Sequence, residues 1–196
     1  MIRESAPWRE ELRRCARGLT RLAAQRRETD KRSALFERTL FFGAYAMRKL
    51  NEAKKLSSAW AGRSVPGLWY PLIASPPDLM NWHRINEHYD LSAGKENCLS
   101  AKDLSDTVIH SFVFMVELND DESISGVFLA SDRSNRAGLW LFKITTLVEI
   151  MAATAADKFN YSRWIRDPET GEWHVWNGFV SEEERPVPGP GNSPSR

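Results

Sequence analysis

From Trp8 to Leu22 the apolar residues fall at Trp8, Leu12, Cys15, Leu19 and Leu22, at intervals of four, three, four and three. That spacing keeps one stripe of a helix apolar, so it predicts an amphipathic helix from Pro7 to about Gln25 whose stripe must be covered. Pro7 suits a first helical turn, where its missing N–H would have no partner anyway. Glu10 and Glu11 follow near the positive end of the helix dipole. Away from the stripe, Arg9, Arg13, Arg17 and Arg21 recur every four residues and predict a solvated ridge of four guanidinium groups. Such a ridge suits phosphates or carboxylates, or else forms an ordinary wet face.

The polar run at 25–33 breaks the stripe and offers Asp30 and Ser33 as N-caps. A second helix is expected from about Ala34 to Leu56. Leu35, Phe36, Leu40, Phe41, Phe42, Ala44, Tyr45, Met47 and Leu50 surround much of it, the pattern of a buried helix. A short connection implies that the two helices pack antiparallel. One neighbour cannot cover so much phenylalanine, so the strands downstream must pack there too, within one fused domain.

Prolines at 66, 71, 76 and 77 punctuate the connector 57–99. Gly67–Ile73 reads as a short strand that Pro71 would confine to a sheet edge. Asp78 is placed to cap a short helix through Tyr89, and 91–99 reads as loop. Ser100 and Asp103 suggest a capping box for a helix ending near His110. Ser111–Leu118 is apolar on both faces and is expected to be a central strand. With Ile124–Ser131 and Gly138–Ile144 it predicts an antiparallel meander. Thr146 and Glu149 propose a helix to about Asp157. Asp167-Pro168-Glu169-Thr170-Gly171 predicts a closing hairpin. Pairing Arg166 with Glu172 would set Trp164, His174 and Trp176 on one face. The fold class is therefore α+β: an N-terminal antiparallel helical hairpin (about 7–56) on a mostly antiparallel sheet of four to six strands (100–180), with short helices between. The single domain spans 1–180, and proline-rich 181–196 reads as a disordered tail.

The net charge of +1 conceals a split, because residues 1–56 carry 15 Lys+Arg against 7 Asp+Glu while the remainder carries 12 against 19. Opposite halves of this kind attract each other within a fold, or leave the basic half for an anionic partner. At 196 residues and 42% hydrophobic the chain can form its own core, which excludes fibrous and disordered classes. No apolar run nears the ~20 residues of a membrane span, and no apolar leader opens the chain. Two cysteines, Cys15 and Cys98, with no CxxC between them suggest reduced thiols. A cytoplasmic protein with no membrane partner is expected.

Chemistry-bearing residues are sparse. His83 with Glu87, and Asp106 with His110, are acid–histidine pairs one helical turn apart, able to share a metal or to prepare a general base; Ser111 follows the second pair directly. HisGluXaaXaaHis and the glycine-rich phosphate loops are absent, so neither a cofactor nor a metal is expected. Trp164, His174 and Trp176, with Arg163 and Arg166, suit stacking on single-stranded nucleic acid or packing between sheet and helix. The function expected is that of a non-enzymatic binding or accessory protein whose basic first helix meets an acidic protein or nucleic acid. The alternative is a small metal-assisted hydrolase or nuclease using His83, Glu87, Asp106 and His110. The Trp8–Leu22 stripe would also serve a homodimer contact.

Overall fold

A computed structural model of the chain describes residues 2–27 and 29–181; the tail expectation for 182–196 lies outside them. Helix α1 (Ala6–Ala23) starts with proline in its first turn, and α2 (Asp30–Glu52) is capped by Thr29, whose side chain accepts from the Arg32 N–H at 3.1 Å. The cap thus lies ahead of both Asp30 and Ser33, and α2 begins four residues before the expected Ala34. The two helices form the antiparallel pair.

A five-stranded antiparallel sheet follows, in the order β2-β1-β5-β4-β3. Its strands are β1 (Ser64–Pro71), β2 (Lys95–Ser100), β3 (Ser111–Leu118), β4 (Ile124–Ser131) and β5 (Gly138–Lys143). The meander β3-β4-β5 is as expected. Two placements differ. β1 is interior rather than at an edge, because β2, expected as loop, pairs with it over Ser64–Trp69 while β5 pairs over Leu68–Pro71. Pro66 and Pro71 therefore each sit where β1 has a single neighbour, which is the condition a proline needs in a sheet. β3, expected to be central, is an edge. Its two apolar faces record cover above and below, not a neighbour on each side.

The faces are distinct. Val65, Val127, Leu129, Trp140 and Phe142 join the main core with the helices, and Phe41 of α2 meets Phe114 of β3 with ring centroids 5.6 Å apart. Tyr70, Val113, Ala130, Leu139 and Leu141 line the other face beneath Ile85 and Tyr89. The short helix expected over 79–89 narrows to α3 (Ile85–His88). Helix α4 (Ala101–Ile109) is capped by Ser100, whose Oγ accepts from the Asp103 N–H at 3.0 Å. Helix α5 (Ile144–Ala156) begins straight from β5 with no side-chain cap, so the Thr146–Glu149 box is not used.

Helix α1 lies between α2 and α5, and Leu12 and Leu19 are completely buried there. Each such side chain contributes about 1.5–3 kcal/mol relative to exposure. The stripe is thus covered inside the chain and lends no support to a homodimer contact. Beyond α5, β6 (Tyr161–Arg166) and β7 (Trp173–Gly178) pair only with each other.

No described helix is long and apolar enough to cross a membrane.

Candidate functional site

Arg9, Arg13, Arg17 and Arg21 do not form one wet ridge on α1. Steps of four residues overshoot a helical turn by about 40°, so Arg9 and Arg21 stand about 120° apart around the axis. Arg9 falls on the flank that meets α5 and is buried, 9% exposed. Its Nη1 donates to the carbonyls of Thr154 (3.2 Å), Ala155 (3.3 Å) and Asp157, and its Nη2 to that of Lys55 (2.7 Å). It completes the C-terminus of α5, whose last turn has no basic residue of its own. Burial draws its pKa down, Asp157 opposes that, and the group remains a cation. Arg13 and Arg17 share Glu10 at 3.2 Å each, and those two bonds hold its carboxyl below the usual range.

Arg21 lies on the opposite flank, over a groove of about 360 Å³ between α1 and α2. The floor is Cys15, Leu22, Leu35 and Phe42, with Gly18 allowing α2 to approach: a Cβ there would come within 3.3 Å of Thr39. Arg14, Arg21 and Arg38 stand around it. Arg14 pairs with Glu11 at 3.0 Å, whereas Arg21 and Arg38 are exposed and make no ion pair among the described residues. Phe42 is 54% exposed, whereas Phe41 beside it is half-buried and Gly43 is buried. Arg38 and Phe42 went unnoticed as binding residues because the girth of α2 reads as uniformly buried. Only their spacing of four, one turn, hinted at a shared open flank.

The acid–histidine pairs do not converge. His83 is exposed and edges against Trp82, while Glu87 reaches Arg84 at 3.8 Å. His110 closes α4 in a polar hollow of about 330 Å³ with Asp106, Arg48, Lys102 and Ser131. There the guanidinium of Arg48 lies 3.1 Å from His110 Nε2 and 3.5 Å from Asp106 Oδ1. Asp106 also takes Lys102 Nζ at 2.9 Å. Arg48 therefore stands between acid and imidazole, where an orienting bond or a metal would have to be. The neighbouring Ser111 Oγ is buried, has no hydrogen-bond partner among the described residues and is not presented as a nucleophile. Among the described residues no group of three or more His, Cys, Asp or Glu is placed to hold a metal ion.

The terminal hairpin also departs from expectation. Its register joins Arg166 to Trp173, Ile165 to His174, Trp164 to Val175 and Arg163 to Trp176. The slip of one residue comes from the turn: Asp167 pairs outward with Glu172 (N–H to carbonyl, 2.8 Å), and its Oδ1 accepts from the Glu169 and Thr170 N–H groups. Gly171 takes φ +72. A one-residue slip reverses faces, so Trp164 shares a face with Trp173, opposite His174 and Trp176. None of these rings is core. Trp164, Trp173 and Trp176 are 54%, 58% and 45% exposed. The hairpin joins the body at its root through Asn177, whose Nδ2 donates to the carbonyls of Lys54 (2.9 Å) and Leu56 (3.1 Å), and whose Oδ1 accepts from Ser162 Oγ.

Comparison with protein-family models, with curated proteins and with solved structures finds no match to this chain.

Proposed function

We propose that this is a non-enzymatic binding protein whose N-terminal helix pair takes an acidic, amphipathic segment of a partner protein. The observation that carries this reading is the groove between α1 and α2, where an apolar floor ending in exposed Phe42 is set beside Arg21 and Arg38, cations with no ion pair among the described residues. An apolar floor bordered by cations matches a helix with leucines on one side and glutamates along its flanks. A phosphate backbone would use the cations and leave the floor unfilled, so the apolar component favours protein over nucleic acid. The excess of basic residues in 1–56 draws such a segment in, and the apolar floor holds it. Arg9 belongs to the scaffold in this reading, and Arg13 and Arg17, tied to Glu10, contribute little.

Fluorescence anisotropy with a labelled acidic amphipathic peptide tests the reading, with an equally acidic peptide lacking apolar residues as comparison. Wild type is expected to bind the amphipathic peptide more tightly. Arg21→Glu with Arg38→Glu, and separately Phe42→Ser, should weaken it. Equal affinity for both peptides, or undiminished binding by either variant, would overturn the assignment.

A further inference from the structure

The terminal hairpin is an aromatic arm. Strands of six residues reach about 20 Å, and β6 and β7 extend that far with neither edge joined to the main sheet. Large apolar side chains on both sides of a two-stranded ribbon are rare in a chain with nothing to cover them. Each face of the ribbon pairs aromatic rings with one arginine. One carries Trp164 and Trp173, edge to face at 6.5 Å, with Arg166. The other carries Tyr161 and Trp176, with ring centroids 6.3 Å apart, beside Arg163. Lys54, from the turn after α2, lines a hollow of about 680 Å³ with Tyr161, Arg163 and Trp176, which Trp173 and Val175 border from the other face. Among the described residues no carboxylate lines it, and neither Arg163 nor Lys54 is in an ion pair. The acids of the arm, Asp167, Glu169 and Glu172, sit at its tip, away from the root where the cations are.

Trp176 is fixed for this role. Its ring folds over Gly178, where an added Cβ would come within 2.2 Å of the indole, so glycine is what lets the ring lie flat on the root of the strand. Tyr161, paired across from Gly178, flanks it. The outcome is a pre-positioned indole and phenol with two cations alongside.

From these placements we infer that the Tyr161–Trp176 face of the hairpin binds single-stranded nucleic acid, with bases stacking on the rings and the backbone following Arg163 and Lys54. Stacking on aromatic rings is tolerant of sequence because every base has a π-face, and the cations supply the salt-dependent part. A duplex keeps its base faces covered and cannot use the rings. The inference concerns a different surface from the α1–α2 groove and stands or falls separately.

The test is anisotropy of a labelled oligothymidylate of about 12 nucleotides with the full chain at low salt. Wild type should bind it, and bind a duplex of equal length more weakly. Trp176→Ala should weaken binding at least about fivefold. Arg163→Gln, a surface change that removes only the cation, should flatten the salt dependence and keeps the inference falsifiable if Trp176→Ala disorders the arm. Trp164→Ala, on the opposite face, should bind within about twofold of wild type. Absence of binding by wild type overturns the inference. So does full affinity in both Trp176→Ala and Arg163→Gln, or a loss confined to Trp164→Ala. If a proline-rich peptide occupies this face and the oligonucleotide does not, the partner is a protein and the inference falls.

Discussion

Replacing Arg9 by methionine keeps most of the stem and removes the guanidinium, leaving the carbonyls of Lys55, Thr154, Ala155 and Asp157 without their donor. A hydrogen bond from a charged donor contributes about 1.5–3 kcal/mol, but four such values do not add, since water reaches part of the last turn of α5. Each buried carbonyl left without a donor costs about 1–3 kcal/mol, which puts the whole loss at about 3–5 kcal/mol. Against a total stability of about 5–15 kcal/mol this is a large fraction. For a chain of this size it lowers the Tm by roughly 6–20 °C. Arg17→Met, which gives up only an exposed bond to Glu10, should cost about 0–1 kcal/mol. Thermal and urea unfolding followed by circular dichroism compares the two. If Arg9→Met melts no lower than Arg17→Met, the clamp on α5 is not holding the fold and the account of α1 fails.

Further outcomes follow from other contacts. Gly138→Ala would press a methyl into the Tyr70 carbonyl at 2.6 Å and should cost about 1–3 kcal/mol, whereas Gly43→Ala meets only the flexible end of Met151 and should be far milder; urea midpoints separate them. Burial, and secondarily Glu11, pushes the Cys15 thiol up to about 11. An unfolded thiol ionises earlier, so Cys15's contribution to stability is intact below about pH 9 and is lost as the pH rises to about 11. At pH 8 iodoacetamide should modify exposed Cys98 and leave Cys15 untouched until the chain is unfolded, as intact-mass measurement will show. Asn177→Ala removes the bonds to Lys54 and Leu56. Hydrogen exchange should then rise across 161–178 while α1 and α5 keep their protection; an equal rise everywhere would mean that the hairpin is part of the core.

What the residues made legible was whatever one periodicity could state alone. The four-three alternation of Trp8–Leu22 specified α1, and the runs at 111–118, 124–131 and 138–143 specified the meander. β2 escaped because Lys95-Glu96-Asn97-Cys98-Leu99-Ser100 is mostly exposed and lacks alternation; it is a strand only because β1 offers it backbone groups. The arginine ridge misled for a geometric reason: on α1 the angle that separates Arg9 from Arg21 decides which helix each flank meets. Ala16 and Ala23, on the same flank as Arg9, were the available sign that another helix comes close there. Asp106 and His110 do span the last turn of α4, whereas His83 precedes α3 and is no helical neighbour of Glu87; and Arg48, from a different helix, decides what His110 can do. The contact between Arg48 and His110, 62 residues apart, carries no local trace.

The bond between Arg9 and the end of α5 has a consequence for how the protein is made. Ribosomes release the N-terminus first, so α1 and α2 emerge and pair while more than a hundred residues that must finish the job have yet to be translated. Until α5 appears, one flank of α1 has no cover, and Arg9 has only the Lys55 carbonyl to bind. The nascent chain therefore carries a half-dressed helix while everything between α2 and α5 is made, and closing a loop that long is the step that turns a sticky intermediate into the native protein.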